Sequence, residues 1–156
     1  MPSPQRPIDA LGGLAALRPI VADFVARICT DTMIGFHFRA VDQAKLVELE
    51  LQFAARMLGA DEVVYEGRSV GQAHARHPIS DGQFARRSLL LRQTLRDHHV
   101  AAELATLWLE HTERLRPAIL GAQVVNHAGG PCDHPGYGPL VTDVDAEGHV
   151  VGERHP

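Results

Sequence analysis

The chain has 156 residues, 45% of them apolar, which is enough for one domain with a substantial core. Its formal charge of −4 leaves no electrostatic footprint for nucleic acid, and no apolar run approaches the ~20 residues of a membrane span. Met1–Arg6 lacks the apolar centre of a signal peptide, and Cys29 and Cys132 lie too far apart in sequence to suggest a disulfide framework, so a cytoplasmic, reducing location is expected.

Residues 1–8 read as a Pro-rich arm, and Ile8–Gly13 as a short helical turn closed by a glycine pair. From Leu14 to about Thr30 the residues Leu17, Ile20, Val21, Phe24, Val25 and Ile28 recur at helical spacing, which predicts a helix with one apolar face. Pro19 is expected to be tolerated only near its start. Gly35 then interrupts the pattern, with Phe36 and Phe38 flanking His37.

Asp42 is a plausible N-cap for a helix over 43–58, whose stripe reads Leu46, Leu49, Phe53 and Met57. Glu50 falls inside that stripe, a local conflict that marks either function or a side chain snorkelling at the stripe's edge. The stretch from Tyr65 to Ile79 follows, rich in glycine and histidine, with His74 at its centre. A histidine on a short link between two helices can reach the space between them, and neutral imidazole is the commonest metal ligand. Ser80 with Gln83 makes a capping box for a helix running to about Arg96, with Phe84, Leu91 and Leu95 inward. The last helix starts near Val100 and carries Leu104, Leu107, Trp108, His111 and Leu115 before Pro117 kinks or ends it. His111 reads as a satisfied core histidine.

Residues 121–156 form a Gly-, Pro- and His-rich extension without helical period. Leu140–Val144 and His149–Val151 flank a turn and predict a small hairpin. Cys132 and His134, with His127 nearby, offer soft and imidazole ligands but fall short of the four that a structural zinc requires.

Five features in order carry a resemblance: Leu11-Gly-Gly13; Asp23-Phe24; Phe36-x-Phe38; Leu58-Gly59; and Tyr65-x-Gly67-Arg68 followed by Ala73-His74 and Ile79 before Phe84. Over about residues 8–120 the chain resembles the truncated haemoglobins, closest to their first subgroup. The resemblance implies an all-α, two-over-two helical sandwich around haem b in residues 1–120, with 121–156 as an irregular extension. It implies that His74 is the proximal iron ligand and that Phe38 packs on the porphyrin face. Phe24, Leu46, Leu49, Phe53 and Leu91 could line the apolar slot. Arg68, Arg76, Tyr65 and Lys45 are candidates for the propionates, since guanidinium suits carboxylate. His77, followed by Pro78, is the weaker ligand candidate.

The distal side departs from the family. Where these globins usually carry a tyrosine that bonds bound oxygen, this chain has Val25. Leu46 and Glu50 stand where polar residues, often glutamine, are usual, and Arg87 stands at a normally apolar position (a one-residue shift would substitute Arg86 or Ser88). The resemblance thus implies a diatomic ligand, oxygen, NO or CO, at a His-ligated iron, with a reductase as possible partner. The alternative is a haem redox enzyme, peroxidase-like or NO-detoxifying, using Glu50 and Arg87. His37, near the expected distal rim, is a candidate internal sixth ligand. A helical interaction module without haem remains the third reading.

Overall fold

The structure, a computed structural model, describes residues 4–120 and the backbone of 143–144 and 150–152. Six helices are α1 (Pro7–Leu11), α2 (Gly13–Thr30), α3 (Gln43–Met57), α4 (Val70–His74), α5 (Asp81–Asp97) and α6 (Ala102–Arg114), with a 3-10 turn over Gly35–Phe38. Residues 116–120 are again helical, so Pro117 opens a new turn after the break at Leu115. Strands β1 (Asp143–Val144) and β2 (Val150–Gly152) pair antiparallel, within the two segments expected to form a hairpin and one residue beyond, and the rest of those segments lies outside the described residues. Cys132, His134 and His127 lie outside the described residues.

The boundaries follow local chemistry. Pro7 occupies the first turn of α1, where its missing N–H costs nothing, and the buried Ile8 donates its N–H to the Leu58 carbonyl at 2.8 Å. The arm expected over residues 1–8 is therefore anchored by its last two residues. Gly12, at φ 109°, closes α1 and opens α2 in a conformation that excludes most side chains. Pro19 sits well inside α2, farther in than expected. It lies on the exposed face, where the carbonyl it leaves unpaired, that of Ala15, reaches water. Asp42 caps α3 by accepting from the Lys45 N–H, and Ser80 with Gln83 forms a complete capping box on α5.

Helix α2 is the spine. All six stripe residues expected to face inward are buried, and α2 packs on α1, α3 and α5. α5 in turn packs on α6, and α3 meets α6, which closes a two-over-two arrangement. On α3 the sequence stripe is only part of the packing face, with Leu46 and Met57 partly buried against the core. Leu51, Ala54 and Ala55 are buried there, and the two alanines allow close helix approach, whereas Leu46, Leu49, Phe53 and Met57 are half-buried. A second, smaller cluster joins Val70 and Leu115 to Phe53, Ala118 and Ile119, seating α4 between α3 and the C-terminal helical residues.

Truncating Leu95, which is 1% exposed, to alanine should cost about 2–5 kcal/mol by denaturant unfolding. Leu14, 44% exposed at the start of α2, should tolerate alanine within about 0.5 kcal/mol. Equal losses would contradict the assignment of the core.

Candidate functional site

A helix of five residues does not hold itself in water, so α4 needs external supports. Ser69 caps it by accepting from the Gln72 N–H at 3.3 Å, and Val70 and Gly71 are buried. The preceding loop is tied to α3. Gln52 donates from Nε2 to Glu66 at 3.1 Å and accepts the Glu66 N–H at 3.0 Å. Tyr65 folds back over the loop, donating its phenol to the Arg68 carbonyl at 2.9 Å and meeting Phe53 edge-on at 5.5 Å. A Cβ at position 67 would collide with the Tyr65 ring, which accounts for Gly67 in the Tyr-x-Gly-Arg motif.

These supports set His74 at the last position of α4. Its Nδ1 lies 2.8 Å from the Val70 carbonyl, which can only accept, so Nδ1 carries the proton and Nε2 keeps its lone pair. Burial pushes its pKa below the usual imidazole range, the Val70 bond opposes this, and the Arg87 charge adds to the lowering while Glu50 and His77 contribute smaller effects. A neutral ring with one nitrogen oriented by a carbonyl and the other open is the state a metal requires.

Leu46, Leu49, Glu50 and Phe53 share one face of α3. From α5, Arg87 reaches Glu50, with its Nη2 3.2 and 3.3 Å from the two carboxylate oxygens, and lies over the Phe24 ring at 4.9 Å. Both partners are about one-quarter exposed. The Tyr65 phenol is pushed up mainly by burial and secondarily by the Glu50 charge. Glu50 therefore acts on both Tyr65 and His74, and Arg87 on His74. The structure brings these four together with Phe24 and Phe53, while Phe38 is half-buried against the core. Val25 is fully buried in α2. Lys45, Arg68 and Arg76 are exposed, as is His77, whose N–H bonds the His74 carbonyl at 3.0 Å. Tyr65 donates its hydroxyl within the loop, to the Arg68 carbonyl.

His37 stacks on Phe36 with ring centres 4.1 Å apart, and its Nε2 is buried without a hydrogen-bond partner among the described residues. The residues flanking Arg87 on α5 turn elsewhere. Arg86 turns to Asp31, bonding it at 2.7 and 2.9 Å, and Ser88 faces the α5–α6 side beside Leu109 and Glu110. Among the described residues no cluster of three or more His, Cys, Asp or Glu side chains could hold a bare metal ion.

The Asp31–Arg86 pair escaped the sequence reading, and it holds the loop beneath the site. The Asp31 side chain is 5% exposed and also accepts the Met33 and Ile34 N–H groups. The Arg86 guanidinium is the main cause of its lowered pKa. A depressed carboxylate contributes stability above its unfolded pKa of about 4, and loses it as pH falls through the folded value. Thermal melts should therefore show Asp31→Asn less stable near neutrality, with the gap to wild type closing as pH falls below about 4. A constant gap would mean that Asp31 acts by shape alone.

No protein-family model and no curated protein matches the sequence. Comparison of folds finds the Fe(III) form of truncated haemoglobin from Tetrahymena pyriformis, at 22% identity and TM-score 0.69 over 74% of this chain and 98% of that one. The 2/2 haemoglobin from Synechococcus sp. PCC 7002, in the cyanomet state with covalently attached haem, matches at 23% identity and TM-score 0.69, over 74% of this chain and 98% of that one. THB1 of Chlamydomonas reinhardtii matches at 26% identity and TM-score 0.64, over 77% of this chain and all of that one.

Proposed function

We propose that this chain, a truncated haemoglobin by fold, holds haem b through His74 and binds a diatomic gas, oxygen, NO or CO. The observation that carries the reading is the His74 ring: its pKa lowered by burial, its Nδ1 proton given to Val70, and its Nε2 lone pair left uncommitted by that bond. The half-buried apolar face of α3 supports it. Leu46, Leu49 and Phe53 stay partly uncovered although larger apolar side chains normally fill a core first, which suits a flat apolar guest. Phe38 would pack on one face of that guest, and the exposed Arg68, Arg76 and Lys45 would meet its propionates at the rim. When bound, haem supplies the iron to which the gas attaches.

The chain's own contribution lies in what surrounds the ligand. Val25 offers no hydrogen-bond donor, and the donor that a tyrosine would give is worth on the order of 1 kcal/mol. Oxygen release is accordingly fast. Glu50 and Arg87 place one acid–base group and one cation on that side, which favours a second reading as a peroxidase-like or NO-detoxifying haem protein supplied with electrons by a reductase.

Absorption spectra of the ferric, ferrous and CO-bound protein test the first reading directly, and a chain that acquires no Soret band on reconstitution would overturn it. His74→Ala should abolish stable iron ligation, with partial rescue by added imidazole. His77→Ala should leave the spectrum nearly unaltered. Val25→Tyr should slow oxygen dissociation by about tenfold for each 1.4 kcal/mol that the new bond contributes, measured by stopped-flow. An unchanged rate would place Val25 away from the ligand.

A further inference from the structure

The α5–α6 face carries a cleft of about 460 Å³, lined by Ser88 and Arg92 from α5 and by Leu109, Glu110, Glu113 and Arg114 from α6. None of these residues is engaged by the haem reading. Helix α6 turns Trp108, His111 and Thr112 inward, which leaves Glu110, Glu113 and Arg114 exposed on its outer side. On α5, Arg92 follows Leu89 by three positions and Ser88 by four, so the three share one patch. Ser88 is the short side chain of that patch and leaves the hollow. Leu89 stands beside it, 39% exposed, and Leu109 lies half-buried across it.

The cleft holds two guanidinium groups and two carboxylates. Glu113 is held by Arg116 at 3.0 Å. Arg92, Arg114 and Glu110 enter no ion pair among the described residues. Glu110 precedes Arg114 by one helical turn, the order that favours a pair, yet the two do not join. An exposed pair of this kind gains little, so little is lost by offering both groups to a partner. A small anion drawn to the arginines would meet Glu110 beside them. A partner of one charge sign would leave the opposite sign unmet. A second copy of the chain meets both. In a two-fold contact each residue faces the counterpart of its own partner, so a patch with both signs around an apolar centre is complementary to itself.

We infer that the α5–α6 face docks a second copy of this chain, with the Arg92 and Arg114 of each copy meeting the Glu110 of the other around a seal of Leu89 and Leu109. The 17 residues of α5 run about 25 Å, which places the face at the small end of specific interfaces. The dimer is accordingly of the weak, reversible kind. The inference does not depend on the haem reading.

Sedimentation velocity on the full chain, from about 1 µM to about 500 µM, tests it, and the mass should rise from one chain toward two. Leu89→Asp should weaken the association by about tenfold or more. Val64→Asp, the same change at a 72% exposed residue in the loop before α4, should leave it unaltered. The combined change Arg92→Glu with Arg114→Glu sets like charges across the axis, and so does Glu110→Arg in a separate chain. Each of these two variants should stay single alone, and an equal mixture of them should pair. Far-UV circular dichroism confirms that the variants, all at exposed positions, keep their helices. A single-chain mass at every concentration would overturn the inference. So would Val64→Asp matching Leu89→Asp, or a mixture that stays unpaired.

Discussion

A single hydrogen bond, from His74 Nδ1 to the Val70 carbonyl, fixes which nitrogen of that ring carries the proton, and several tertiary contacts keep its five-residue helix in place. That helix contributes too few backbone bonds to persist unaided. Its geometry is borrowed from α3 through the Gln52–Glu66 bonds and the Phe53–Tyr65 contact, and from Val70 packed on Leu115. An imidazole carried on a long, self-sufficient helix would need none of this, but it would also be fixed by its own helix. Here the position of the ring depends on tertiary contacts, so changes at residues 52, 53 or 65 should be felt at position 74.

Between α3 and α5 the chain sets a charged pair among apolar side chains, Glu50 with Arg87, and Arg87 lies over the Phe24 ring. Pairing two charges at one-quarter exposure gains little stability for the fold, because desolvation offsets most of the attraction. Replacement by two apolar side chains would serve the fold at least as well.

Much of this was legible in the sequence, for definite physical reasons. The α2 stripe was read correctly to the residue because large apolar side chains at a 3.6 spacing leave little ambiguity. The capping box on α5 is a local device, visible in four residues. Glu50 stood out because it breaks a stripe. What could not be read was non-local or small. Asp31 and Arg86 are 55 positions apart, and nothing in either neighbourhood announces the other. The most buried residues of α3 were missed because Ala54 and Ala55 carry no strong hydrophobic signal. The Tyr65–Gly67 relation was recognised as a pattern, but the collision that demands glycine is a matter of three-dimensional form.

The two flanks of α3 carry different duties. Leu51, Ala54 and Ala55 are buried in the core with α2 and α5, whereas Phe53 is half-buried against Val70, Leu115 and the Tyr65 ring. A change at Phe53 therefore reaches the loop before α4 and the start of α4 at once, while a change at Ala54 or Ala55 is felt in the core.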